Sequence, residues 1–163
     1  MIEIVKAQIA DIDAIAHVMA CARGIMQADG NPHQWPSGYP DCDTLLVDIE
    51  SGVAHVCKAQ GEIVAYFALL DGPDESYAQI EGGHWLDDVQ PYVVIHRLAS
   101  TGKVRGVFTT VMEFALSKCS NIRIDTHRDN HIMQHCLLKN GFAYCGIIHL
   151  VRNGGERLAY QKV

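Results

Sequence analysis

Residues 92–108 read Tyr92-Val-Val-Ile-His-Arg-Leu-Ala99-Ser-Thr-Gly102-Lys-Val-Arg-Gly106-Val-Phe108. From Tyr92 to Ala99 the chain is apolar almost throughout, as a strand central in a sheet is. A tight turn follows, with Gly102 and Gly106 flanked by Lys103 and Arg105. Val104, Val107, Val111, Phe114/Ala115 and Lys118 then recur at helical spacing. Strand, glycine turn and helix open a β-α-β unit, and Ile122-Arg-Ile-Asp125 supplies its second strand.

The same alternation extends outward. Toward the N-terminus, 53–59 and 62–70 are two strands joined by a turn at Gln60-Gly61, hence antiparallel. Residues 2–7 alternate apolar and polar as a strand does. Asp11 caps a helix whose face carries Ile12, Ile15, Met19, Ala22 and Met26. The three prolines between Asn31 and Pro40 force a loop, and a short helix runs from about Asp43 to Glu50. Toward the C-terminus, Asp129 or Asn130 caps a helix that Gly141 ends. Strands 142–150 and 156–162 close the chain around Asn153-Gly154-Gly155. The order β-α-α-β-β-β-α-β-α-β-β predicts one α/β (α+β) domain over 1–163. Its sheet is mixed, mostly antiparallel and six- to seven-stranded, with helices on both faces.

Composition narrows the function. With 163 residues, 48% of them hydrophobic, the chain can bury a full core without staples. A net charge of −6 argues against a sequence-blind nucleic-acid binder. The longest apolar run, Ile63 to Leu70, is too short to cross a bilayer, and the N-terminus lacks the apolar stretch of a signal peptide. Cys21, Cys42, Cys57, Cys119, Cys136 and Cys145 lie far apart, which predicts reduced, mostly buried thiols in a cytoplasmic protein. No zinc-type cluster occurs, so no metal is expected; His131 and His135 lack the companion glutamate of a zinc helix.

The turn at 102–106 carries the chemistry. The first turn of a helix presents unpaired N–H groups and a positive dipole end, and glycines let a ligand approach the backbone. With two cations added, these are the parts of a phosphate or pyrophosphate cradle. They are equally the parts of a solvated turn with two surface cations. Neither G-x4-G-K-[ST] nor G-x-G-x-x-G occurs.

The element order, the strand-loop-helix at 92–118, and the block Asp125-Thr-His-Arg-Asp-Asn130 with Leu138-Lys-Asn-Gly-Phe142 resemble the GNAT superfamily of N-acetyltransferases. The resemblance covers essentially the whole chain. It implies two parallel strands splayed apart, acetyl-CoA wedged between them as the acetyl donor, and an amine acceptor entering from the other side. The family's loop is Q/R-x-x-G-x-G/A. Lys103, Val104, Arg105, Gly106, Val107 and Phe108 stand in its place, with Lys103 for Gln/Arg and Phe108 for Gly/Ala. The resemblance further assigns Leu98 and Ala99 to main-chain contacts with the pantetheine and thioester, and Asn130 to the pantetheine. Many relatives protonate the leaving thiolate with a tyrosine, but the matching residue here is Leu137.

Acetyl transfer from a thioester to an amine needs a deprotonated nucleophile and a donor to the oxyanion, here a backbone N–H near Leu98 or Ala99. It needs no covalent enzyme intermediate. Glu81 and His127 are the candidate bases, with His96 a third; each is also readable as a structural residue, and a water-relayed proton is a further possibility. Trp35, Tyr39 and Trp85 are candidate acceptor walls, or loop anchors. The expected function is transfer of an acetyl group from acetyl-CoA to a primary amine by a monomer or homodimer. Phe108 and Leu137 leave open a non-catalytic acyl-CoA-binding module.

Overall fold

The computed structural model describes residues 1–163. Strand β1 (Ile2–Lys6) leads through a 3-10 turn into α1 (Ile12–Ala28), and α2 (Cys42–Glu50) follows. Then come β2 (Ala54–Ala59), β3 (Glu62–Asp71), β4 (Val93–Ser100) and α3 (Val107–Lys118). The chain closes with β5 (Ile122–Thr126), α4 (His131–Lys139), β6 (Ala143–His149) and β7 (Glu156–Lys162). All seven strands form one sheet in the order β1-β2-β3-β4-β5-β7-β6. Only β4 and β5 run parallel; every other neighbouring pair is antiparallel. The mixed sheet and its element order agree with the sequence reading.

Strand alternation divides the core. On one face Cys57, Ala65, Phe67, Val93 and Ile95 pack against Val111, Met112 and Ala115 of α3 and Leu137 of α4. On the other, Val56, Tyr66 and Ala99 meet Ile15, Val18, Met19 and Ala22 of α1 and Leu45 of α2. No helix covers the rest of that second face. The segment between β3 and β4 does so instead, burying Tyr77 and Trp85 over Val94, Cys145, Ile148 and Ala159. The connection between β3 and β4 is therefore a packed layer.

The helix ends follow local chemistry. The Asp41 carboxylate accepts the Thr44 amide at 2.9 Å, which starts α2 at Cys42. Asn130, rather than Asp129, caps α4 by accepting the Met133 amide at 3.0 Å. At the far end Phe142 N–H donates to Leu137 C=O and Gly141 N–H to Leu138 C=O, the paired closure of a Schellman motif. The main departure from expectation is at α3, which begins at Val107 rather than near Val104. Gly106 sits at φ 84°, a left-handed conformation that cannot propagate a right-handed helix, so residues 101–106 stay a loop. The thiols are free, but only Cys57 and Cys145 are buried; Cys42 is exposed. Burial pushes the Cys57 thiol up to about 12. No helix is long and apolar enough to cross a membrane.

Candidate functional site

The sheet is open at its centre. β4 pairs with β5 only at Val93 and Val94, and beyond that point the two strands part. From Ile95 to Ser100 the β4 edge on that side has no strand partner. A bulge sharpens the break: Tyr66 of β3 faces Ala99 while Ala68 faces His96, so β4 carries one extra residue between them. Arg97 takes the strained position at φ 54°. Its guanidinium is fixed behind the strand, where Nε and Nη2 donate to the Asp48 carboxylate at 2.8 and 2.6 Å. The Tyr66 hydroxyl donates to the same carboxylate at 2.6 Å. The ion pair holds the Arg97 guanidinium above its ordinary range despite burial.

At the exit of β4 lies the 101–106 loop. Gly102 N–H is satisfied by the Ser100 hydroxyl at 3.0 Å. From Val104 to Thr109, no backbone amide donates to any acceptor within the protein. Lys103 and Arg105 are exposed beside them, and a side chain's first carbon at Gly106 would meet only open space. The Phe108 ring turns inward against the α3 side of the core, which leaves the loop's outer surface clear. Such an array of free amides at a helix start can receive phosphate oxygens.

Where the strands part, a cavity of about 390 Å³ opens. Its β3–β4 wall holds Asp74, Glu75 and His96; its floor holds Ile124 and Asp125; its other wall holds Arg152 and Arg157. His96 Nε2 lies 2.7 Å from Asp74 Oδ2. Burial pushes the Asp74 carboxyl up, but the His96 hydrogen bond and charge outweigh it and hold it below the usual range. An ionised Asp74 fixes the proton on Nε2 and leaves Nδ1, which has no protein partner, as the basic nitrogen. Asp125 accepts the Tyr77 hydroxyl at 2.7 Å. The proline-rich loop between α1 and α2 closes the top with Trp35 and Tyr39. Gln34 ties it down, accepting from the Asn130 side chain at 2.8 Å and, through its main-chain carbonyl, from Arg157 at 2.6 Å.

The residues singled out from sequence divide accordingly. Leu98, Asn130, Trp35 and Tyr39 line the cavity together with His96, and Ala99 lies just behind it in the α1-side core. Glu81 does not reach it. It is exposed and pairs through its backbone with Ile147 of β6, far along the sheet. Trp85 is 6% exposed in the third core cluster, where its indole N–H donates to Tyr77 C=O at 3.1 Å; it is an anchor and not a cleft wall. His127 faces a neighbouring polar hollow with His33, Arg128 and Glu156, which shares Gln34 and Arg157 with the cavity. Its imidazole is pulled down by burial and by the Arg157 charge. Leu137 is fully buried core. Sequence reasoning missed Asp74, Arg97, Arg152 and Arg157. Only Arg157 left a trace in the sequence, as a charged residue in the inward register of β7 with Ala159 and Gln161. No group of three His, Cys, Asp or Glu residues stands close enough to hold a metal.

Neither a scan against protein-family models nor a search of curated proteins gave a match. Solved structures did. A putative acetyltransferase from Staphylococcus aureus superposes with a TM-score of 0.69 at 21% identity, over 98% of this chain and 97% of that one. A GNAT-like decarboxylase in complex with isobutyryl-CoA does so at 0.62 and 17%, over 99% and 98%. These two show the shared fold. The chain is also similar to a GNAT-family acetyltransferase from Streptococcus agalactiae, with 35% identity and a TM-score of 0.89 over 99% of this chain and 95% of that one. At that identity and coverage, the chain belongs to the GNAT family of acetyltransferases.

Proposed function

We propose that the protein transfers an acetyl group from acetyl-CoA to a primary amine. One observation carries the reading: β4 lines the cavity that exists because β4 and β5 part, and beyond its exit it leads into the run of unpaired amides from Val104 to Thr109. A donor with a pyrophosphate at one end and a thioester at the other matches both features. The amides and the exposed Lys103 and Arg105 would take the diphosphate. The unpaired edge of β4 at Leu98 and Ala99 would take the pantetheine arm, with Asn130 beside it. Similarity to a fold neighbour that binds isobutyryl-CoA supports a CoA thioester at this place.

The bound thioester supplies an activated carbonyl; the chain's own groups do the rest. A backbone N–H beside the bulge polarises the carbonyl oxygen. His96, oriented by Asp74, takes the proton the amine must lose before it can attack. This moves the basic role from Glu81 and His127 to a histidine that faces the cavity. The leaving thiolate needs little help, since thiols ionise near pKa ~8.5. A buried Leu137 is compatible with catalysis on that ground.

The test is thermal unfolding with and without acetyl-CoA. At ~100 times Kd, binding adds about 2.7 kcal/mol, a rise of roughly 5–10 °C for a chain of this size. The double variant Lys103→Ala/Arg105→Ala should lose most of that rise. Steady release of CoA thiol across an amine panel then separates an enzyme from a module that only binds. No shift and no heat on adding saturating acetyl-CoA would remove the proposal.

A further inference from the structure

The cavity is divided by charge. Asp74, Glu75 and His96 stand on the β3–β4 side, and Arg152 and Arg157 on the β6–β7 side. The cations of that second wall make no ion pair. Arg157 is 6% exposed, yet its Nη1 and Nη2 donate only to neutral carbonyls, Glu156 O at 2.8 Å and Gln34 O at 2.6 Å. No carboxylate lies within ion-pair distance of it. Asp125 on the floor favours the Arg157 charge from beyond ion-pair distance, and its carboxylate accepts the Tyr77 hydroxyl. The Arg152 guanidinium lies 4.1 Å from the centre of the Tyr39 ring and likewise pairs with no acid. By contrast Arg97, the third arginine at the cavity, is fully matched by Asp48. A buried guanidinium that makes no ion pair is costly, and an anionic ligand group seated on it lowers the cost. Its planar fork suits a carboxylate.

We propose that the acceptor is an amino acid, whose carboxylate binds at Arg152 and Arg157 while its amine lies toward Asp74 and His96. This rests on the acetyl-transfer reading above and narrows it. A polyamine is disfavoured, because it would place a second cation against two arginines that already lack a partner. In the reaction the ammonium first gives one proton to His96 Nδ1 or to water. The nitrogen lone pair then attacks the thioester carbonyl carbon, the C–N bond forms and the C–S bond breaks. The nitrogen's second proton goes to the departing thiolate. The products are an N-acetyl amino acid and CoA with a free thiol.

The experiment compares amino acids with their decarboxylated partners, phenylalanine with phenethylamine, leucine with isoamylamine and lysine with cadaverine. CoA thiol release is followed after acetyl-CoA binding has been established by thermal shift. The expected result is a kcat/KM for at least one amino acid ~10–100-fold above its partner, the size of one charge-assisted hydrogen bond. Arg152→Ala, an exposed residue whose loss leaves the core intact, should raise the KM of that amino acid about 10-fold. It should leave both the KM of the matching amine and the acetyl-CoA shift as they were. Arg157→Lys, which keeps the charge but not the fork and loosens the Gln34 loop, should raise the KM of that amino acid more than the KM of the matching amine. Equal use of an amine and its amino acid overturns the proposal and leaves acetyl transfer standing. So does turnover of phosphoethanolamine with no amino acid used, or acetyl-CoA binding with no amino acid used. A missing acetyl-CoA shift removes the underlying reading and this one together.

Discussion

Replacing Asp48 with alanine tests whether the bulge in β4 is held from behind. The carboxylate is 5% exposed and accepts from Arg97 Nε, Arg97 Nη2 and the Tyr66 hydroxyl, all within 2.8 Å. Removing it strands a guanidinium and a phenol where water has little access. Breaking one partner of a buried ion pair costs about 3–5 kcal/mol. For a domain of ~150–250 residues each kcal/mol moves the midpoint by about 2–4 °C, so Asp48→Ala should unfold roughly 6–20 °C below the parent. Arg97 occupies a strained backbone position at φ 54°, and its restraint is what keeps the β4 edge in register beside the cavity. Turnover should therefore fall as well, although Asp48 itself touches no substrate. The double variant Asp48→Leu/Arg97→Met, which removes both charges and fills the space, should regain more than half of the lost stability. Calorimetric scans of the single variants and the pair give the coupling directly. A loss below ~2 °C for Asp48→Ala, or a coupling under ~0.5 kcal/mol, would refute the argument.

Three further outcomes follow from the same geometry. His96→Asn should lower kcat by about 10²–10⁴-fold and Asp74→Asn by somewhat less, while Glu81→Gln leaves the pH–rate profile unchanged; equal rates in all three would exclude His96 as the base. Trp85→Ala should cost ~3–5 kcal/mol in a urea titration, whereas Trp85→Phe should leave the acceptor KM unaltered, because the ring fills the core over Tyr77 and Arg123. Stability should also fall with acid in two stages. Burial, helped by the Lys6 charge, holds the His55 imidazole below its ordinary value, so below pH ~6.5 the unfolded chain takes up a proton that the folded chain refuses. His127 adds to that slope, and each group contributes at most ~1.4 kcal/mol per pH unit. Asp74, held below the usual range, contributes stability that is lost only beneath pH ~4. Midpoints measured from pH 8 to 5 should show a shallower slope for His55→Phe, and an unchanged slope would disprove the assignment.

The local patterns in the chain were enough to determine its elements and their order. Alternation marked β1, the Gln60-Gly61 turn marked the hairpin of β2 and β3, a glycine at the left-handed position ended α4, and the run from Tyr92 to Ala99 marked the central strand. These signals act over a few residues, since strand and helix periods and caps are local properties of the backbone. The 102–106 turn was legible for the same reason. Glycine and cation spacing belong to the segment itself, although the start of α3 was placed too early because Gly106 adopts a left-handed conformation that spacing does not reveal.

The cavity is another matter. Whether an acid is a base in waiting or a strand pairing, and whether a tryptophan is a wall or a core anchor, depends on residues far away in the chain. Glu81 was turned to the sheet by Ile147, and Trp85 was drawn inward by Tyr77 and Arg123. His96 met Asp74 across 22 residues, and Arg157 met Gln34 across 123. A side chain's charge state and aim are set by the partners that share its enclosure. Only the closing of the sheet around the parted strands brought those partners together.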